Sequence, residues 1–332
     1  MINPFSGDGF TLAALTASID RLPFVPGRIG AMGLFSNEGV STPAIIIEER
    51  DNELVLVPNT RRGAPAVTKP GEQRKLRTFA CTHLPIKDYV HADDLYGMRE
   101  FGSEDAQESL ANRVNGKLTK MKQSLAVTLE WMRMGALKGT IVDGAGTTVY
   151  NLYTEFGIPA PSAFDFLLGT GTTSIRGKCN DVIERISNAM NGTPFDHVHA
   201  FCGASFFKRM SDHADVKDML KWASPQRNVD NVWARGSYEY GGIVFEPYRG
   251  QVGGTPFVPP TGCVFFPVGS PGIFVTYFAP STWIESVGTA GVPMYAKQIP
   301  TPDNSGIELL AQSNPLPLCV RPAVLQTGTT SN

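Results

Sequence analysis

An α+β fold, with helices and strands segregated along the chain rather than alternating, is what this 332-residue sequence predicts. Three observations lead there. Apolar residues recur at intervals of three or four from Ser103 to about Lys138, which is the pattern of one long helix. Beyond Ser224 the chain runs in short β-branched and aromatic stretches broken by turn residues. The 34 glycines and 25 prolines favour strands, turns and extended segments over a helical bundle.

Bulk composition sets the outer bounds. Hydrophobic content of 42% and charged content of 18% are those of a folded protein, and the length allows two or three domains or one large elongated unit. With 29 basic and 31 acidic side chains the net charge is −2, so no global field holds the chain to nucleic acid or to an anionic membrane. Any electrostatic function must be local. Five widely spaced cysteines with no C-x-x-C pair point to reduced thiols in a cytosolic setting. No Lys or Arg precedes Arg21, and no apolar run approaches the roughly 20 residues a membrane span needs; a soluble intracellular product is expected.

Taken in order, residues 10 to 22 carry Phe10, Leu12, Leu15, Ile19 and Leu22 at helical spacing, and Pro23, Pro26 and Gly27 end that helix. The following RIGAMGLFSNEGVSTP has no clear period and is expected as an extended arm. PAIIIEER and ELVLVP then read as strands joined by Asp51 and Asn52, both tolerant of positive φ. A basic segment from Thr60 to Arg77 follows, and KLRTFACTHLP returns as a strand. Residues 43 to 86 thus form a β-rich excursion with a long tip. The long helix starts at Ser103 as N-cap, with Glu104 and Asp105 in its first turn, and stops at Lys138 and Gly139. At about 1.5 Å per residue it spans roughly 50 Å, enough to brace an elongated shape. GTIVDGAGTTVYNLY is a hairpin turning at Asp143 and Gly144. Residues 162 to 222 read as mainly helical, and strands follow at YGGIVFEPYR, GCVFFPV, GIFVTYFAP and GIELLAQSNPLPLCV.

Catalytic chemistry leaves few marks. His197, His199 and Cys202 make an H-x-H-x-x-C cluster that a zinc hydrolase would use, with His213 eleven residues beyond, but packing histidines satisfy the same pattern. Cys81 and His83 lie two apart on a strand, without a sign of the activation a nucleophile needs. GTGTTSIRGK, residues 169 to 178, fails the P-loop spacing and reads as a turn into a helix. No carboxylate pair stands out as acid and base. No catalytic residue, metal site or cofactor is expected.

Charge distribution says more. The segment Thr60 to Arg77 carries Arg61, Arg62, Lys69, Arg74, Lys75 and Arg77 against Glu72, a net +5. Asp88 to Glu108 carries Asp88, Asp93, Asp94, Glu100, Glu104, Asp105 and Glu108 against Arg99, a net −6. Copies arranged in a ring could pair the basic loop of one with the acidic helix start of the next. A solvated loop without a partner, and a nucleic-acid contact through the same arginines, are the alternatives.

Several segments resemble one family. LPFVPGRIGAMGLFSNEGV, IIIEERDNELVLVP with RRGAP after it, FGSE, LEWMRMGALKGTIVDGAGT, YGGIVFEPYRG and YAKQIPTPDNSGIELLAQSNPLPLCVRP are together similar to the major capsid proteins of tailed phages, of the lambda-type protein E family. The resemblance covers nearly the whole chain. It implies the capsid fold first described in Hong Kong 97 phage. Residues 1–41 would be an N-terminal arm, 42–87 a projecting hairpin called the E-loop, and 88–159 a peripheral domain with a spine helix at 103–138. Residues 160–295 would form an axial domain, and 296–332 would return to the peripheral one.

The function so implied is a shell protein, not an enzyme, assembling into hexamers and pentamers of an icosahedral head around double-stranded DNA in the host bacterial cytoplasm. The basic loop would reach a neighbouring subunit, with Asp93, Asp94, Glu100, Glu104, Asp105 and Glu108 as its acceptor. A separate scaffolding protein, a portal, a possible decoration protein and weak non-specific contact with packaged DNA are the other implied partners. No membrane is among them. A covalent link between subunits through a loop lysine, as in the founding member, would fall to Lys69.

Overall fold

The computed structural model describes residues 27–50, 74–94, 110–222, 236–252 and 254–330. The expected helix at 10–22, the turn at Asp51 and Asn52, the strand ELVLVP and the helix start at Ser103 lie outside them. The first described elements are α1 (Arg28–Met32), β1 (Ser36–Gly39), β2 (Ala44–Arg50), β3 (Arg74–Ala80) and β4 (Leu84–His91). The long helix α2 (Leu110–Leu137) follows, then β5 (Thr140–Val142), β6 (Thr148–Asn151), α3 (Leu152–Phe156), β7 (Phe164–Asp165) and α4 (Ile175–Met190). Next come β8 (His197–Cys202), α5 (Ala204–Asp212), α6 (Ala214–Trp222), β9 (Tyr238–Tyr240), β10 (Ile243–Pro247), β11 (Gln251–Val252) and β12 (Thr255–Pro256). The chain closes with β13 (Gly262–Val268), β14 (Phe274–Phe278), β15 (Tyr295–Pro300), β16 (Gly306–Ser313), β17 (Pro315–Cys319) and β18 (Gln326–Thr329).

Helix α2 serves two cores. Its first half sends Val114, Leu118, Met121 and Leu125 against a three-stranded antiparallel sheet ordered β15-β16-β4, where Ala296, Ile307, Leu309 and Val90 meet it. Its last turns are buried on every side, and Met132, Met134, Ala136 and Leu137 join a second, larger core. Gly135, a helix weakener by propensity, has a packing reason: a Cβ there would lie 2.7 Å from the Thr140 carbonyl oxygen of β5. The helix stops where expected, because Gly139 takes φ +80° and turns the chain into the β5–β6 hairpin. The expected turn residue Asp143 works through its carboxylate, which accepts the amides of Ala145 and Thr147.

The larger core lies beneath a six-stranded mixed sheet ordered β7-β18-β13-β8-β10-β9, flanked by α4 and α5. Phe201, Phe206, Phe245, Phe265 and Phe266 are fully buried there. A third sheet, β1-β14-β17, ties the arm strand β1 in parallel to β14.

Three sequence expectations change. The segment 162–222 is mainly helical, as expected, but HVHAFC within it forms β8, an interior strand of the large sheet; six residues buried almost throughout carry no period that separates strand from helix. GIELLAQSNPLPLCV is two strands in different sheets, divided at Asn314, whose side chain donates to the Pro280 carbonyl and meets the His83 ring. The arm is not extended throughout, because residues 28–32 are helical.

Candidate functional site

The β2–β3 hairpin rises from a foot built by aromatic packing. Alternation along the paired strands turns Ile45 and Phe79 inward and Ile46 and Leu76 outward. Phe79 packs edge-on against Tyr150 at 5.4 Å and stacks on Phe156 at 5.9 Å. The Tyr150 hydroxyl accepts the Ala80 amide at 2.9 Å, closing the end of β3. Arg77 donates to the carbonyls of Glu155 and Phe156 and lies over the Phe156 ring. Those are the last carbonyls of the short helix α3, where a cation offsets the negative end of the helix dipole.

Of the basic residues singled out in the loop, Arg77 is therefore engaged with its own chain. Lys75 stands exposed, and its Cα pairs with that of Glu49; Arg74 pairs with Arg50 at the upper edge of the described hairpin. Arg61, Arg62 and Lys69 lie outside the described residues. Among the acids, Asp93 and Asp94 sit on a single 3₁₀ turn just past β4, with the Asp94 carboxylate accepting the His91 amide. Glu100, Glu104, Asp105 and Glu108 lie outside the described residues. Asp88 pairs with Lys117 of α2 at 2.8 Å; burial alone would raise its pKa, but Lys117 and the Tyr89 amide hold it below the usual value.

A second arrangement, which the charge pattern did not reveal, fixes the arm to the body. Glu130 projects from α2, 5% exposed, and its carboxylate accepts the amides of Ile29 at 2.6 Å and Gly30 at 3.1 Å and the Tyr248 hydroxyl at 2.8 Å. Gly27, the N-cap residue of α1, has no side chain to cap the helix, and Glu130 takes that place from a distant part of the sequence. Beside it, Arg28 forms a two-point ion pair with Glu246 on β10, at 2.5 and 2.9 Å, and Glu246 also meets His199 at 3.1 Å. Burial alone would raise the Glu246 pKa, but the hydrogen bonds from His199 and Arg28 bring it down to about 2. One helical turn further, Arg133 donates to Thr276 at 3.2 Å and Asn37 at 2.8 Å with its guanidinium over Phe35, pinning β1 and β14 to α2.

Most residues of this joint fall in segments on which the family resemblance rested, LPFVPGRIGAMGLFSNEGV, LEWMRMGALKGTIVDGAGT and YGGIVFEPYRG; His199 and Thr276 lie outside them. The available signal was the presence of Glu130 and Arg133 inside an otherwise apolar stretch of α2. A buried charge needs a partner, and sequence did not say which.

The metal-hydrolase alternative loses its geometry. His199 is buried against Glu246 and the rings of Phe201 and Phe266, while Cys202, an odd number of residues along β8, faces the other side of the sheet. Among the described residues no group of three or more His, Cys, Asp or Glu could hold a metal ion. Burial pushes the Cys81 thiol up to about 11, away from nucleophilic character, and His83 bonds Asn314. Residues 169–178 lead into α4, capped by Ser174 through the Gly177 amide.

The family described as phage major capsid protein E matches residues 11–330. The chain is 27% identical to the major capsid protein of Pseudomonas phage KPP10, covering 98% of both chains. It is 23% identical to the major capsid protein of Salmonella phage Felix O1, covering 95% of both. Among solved structures, the mature capsid of bacteriophage PhiM1 superposes with a TM-score of 0.55 at 12% identity, over 90% of this chain and 86% of that one. The fold is the Hong Kong 97-like capsid fold, and the chain belongs to the phage major capsid protein E family, whose members are structural rather than enzymatic.

Proposed function

We propose that copies of this chain associate into hexamers and pentamers and close an icosahedral head around double-stranded phage DNA. The observation that carries this reading is the β2–β3 hairpin. Among the described residues, two seven-residue strands pair only with each other above an aromatic foot, and their outer face shows Ile46 and Leu76 to solvent. A two-stranded ribbon of this kind is marginal alone and gains stability when a further surface receives it. Many weak contacts closing together in a ring and a lattice give strong avidity.

In this reading residues 1–41 are the arm, 42–87 the E-loop, 88–159 and 296–332 a peripheral domain built on the spine helix, and 160–295 an axial domain. The division of α2 between two cores supports it. The basic tip, Arg61, Arg62, Lys69, Arg74 and Lys75, reaches a neighbouring copy near Asp93, Asp94, Glu100, Glu104, Asp105 and Glu108. Arg77 steadies the hairpin that carries the tip. Near-neutral charge suits a wall that must not hold DNA tightly during packaging. A scaffolding protein, a portal and a decoration protein are partners of such a shell, which assembles in the bacterial cytoplasm and ends in the virion.

Electron microscopy of the overexpressed protein tests the reading, with shells, tubes or rings as the expected result. A compact monomer at high concentration would overturn it.

A further inference from the structure

Cys202 and Cys263 meet in the middle of the large sheet. Strands β8 and β13 are its two central strands and run antiparallel, and their register sets the Cα of Cys202 directly opposite that of Cys263. Residues so paired point to the same face. The neighbouring pair is hydrogen-bonded, with the Gly203 amide donating to the Gly262 carbonyl at 2.8 Å, while the Cys202 carbonyl turns to the other side and accepts the Tyr248 amide at 2.9 Å. Bonded and non-bonded pairs alternate along an antiparallel ladder, so Cys202 and Cys263 form a non-bonded pair, the kind whose side chains stand closer. The Cα separation of about 4.5 Å in such pairs lies within the range a disulfide spans.

The two thiols touch. Both are free and both are buried. Burial first, and then the hydrogen bond with the Cys202 thiol, hold the Cys263 pKa well above the ordinary thiol value. Strand β18 makes room for the sulfur, because Gly328 stands opposite Cys263 and a Cβ there would lie 2.6 Å from the Cys263 Sγ. Cys179 on α4 is the next thiol, felt by Cys263 through charge rather than a hydrogen bond. Cys81 and Cys319 lie outside this sheet.

We propose that Cys202 and Cys263 are an oxidation site, closed to a disulfide by hydrogen peroxide. One thiolate attacks the peroxide and keeps one oxygen as a sulfenic acid; the hydroxide released takes up the proton that the thiol gave up, forming water. The other thiol attacks the sulfenic sulfur, the S–S bond forms, and the second oxygen leaves as water. Two thiols are oxidised and one peroxide is reduced to two waters. Buried thiols ionise only when the sheet opens locally, so the reaction is slow. The link closes residues 203–262, with α5, α6 and β9 to β12, into a loop anchored on the central strands, and such a constraint stabilises more the longer the loop. The chemistry is internal to one chain and stands whether or not copies assemble.

The test holds the native full chain with hydrogen peroxide below its melting temperature, then denatures it, alkylates the remaining thiols and maps the peptides. A peptide joining Cys202 to Cys263 is expected, released by dithiothreitol, with a melting temperature about 5 °C higher before reduction than after. Cys202→Ala and Cys263→Ala should each lack both the link and the gain, and Cys81→Ser should keep both. Oxidation confined to Cys81, a link through Cys179, or no link at all in the wild-type chain would overturn the assignment. A Cys202–Cys263 link that leaves the melt unchanged would overturn the constraint on the sheet.

Discussion

Glu130 accepts the Ile29 amide hydrogen at 2.6 Å, so a carboxylate on the long helix caps a five-residue helix a hundred residues earlier in the chain. A helix that short does not persist unaided, and the same carboxylate also holds Gly30 and Tyr248. Glu130→Gln removes the charge and turns one acceptor oxygen into a donor facing another donor. The expected loss is about 1.5–3 kcal/mol, measured as a lowered urea midpoint, with faster amide exchange at Ile29 and Gly30. Gly27→Ala should act in the same direction, because its Cβ would lie 2.1 Å from Glu130 Cδ.

The Arg28–Glu246–His199 chain fixes an acid limit. Glu246 titrates at about 2 in the folded chain against an ordinary 4.5, so it contributes stability above about 4.5. That contribution is lost as pH falls from about 4.5 through about 2, where the unfolded chain takes up the proton first. Glu246→Gln is expected to be less stable at neutral pH and to show a flatter acid limb. Thermal melts of both proteins between pH 2 and 6 check this; parallel curves would refute it.

Lys138 gives the opposite limb. Burial lowers its pKa from 10.5 to about 8, with the ammonium beneath Trp131 and donating to the Phe257 carbonyl. Between about 8 and 10.5 the unfolded chain holds a proton the folded chain has released, so this group makes stability rise with pH across that window. Lys138→Met should lack the rise. Denaturant midpoints of the two proteins, differenced at each pH, isolate it from other titrating groups.

These examples show how much was legible beforehand. The stripe of α2 from Val114 to Leu129, its stop at Gly139 and the Asp143 turn follow from local chemistry, and sequence read them correctly. β8 was hidden because it is buried on both faces in the middle of a sheet, where the alternation of exposed and buried positions vanishes. The α1 helix was hidden because its cap is Glu130, and a cap a hundred residues away leaves no mark beside the helix. Charge counting grouped Arg77 with the loop tip, although neighbouring Thr78 and Phe79 already place it at the foot. Asp88, grouped with the acids, likewise belongs to Lys117.

That regrouping makes the last prediction selective. Arg77 donates to two terminal carbonyls of α3 and covers the Phe156 ring, so Arg77→Glu would set a carboxylate against those carbonyls. Hydrogen bonds to a charged group contribute about 1.5–3 kcal/mol, and Arg77→Glu should destabilise the isolated chain by at least the lower figure. Arg61→Glu/Arg62→Glu/Arg74→Glu, in the basic segment set apart from Arg77, should leave the monomer's melting temperature within about 2 °C. On the proposed pairing of the basic tip with acids of the next copy, its shells should be few or malformed. Normal heads from the triple variant, counted by electron microscopy, would remove the basic tip from the contact; an unchanged melt for Arg77→Glu would remove Arg77 from the foot.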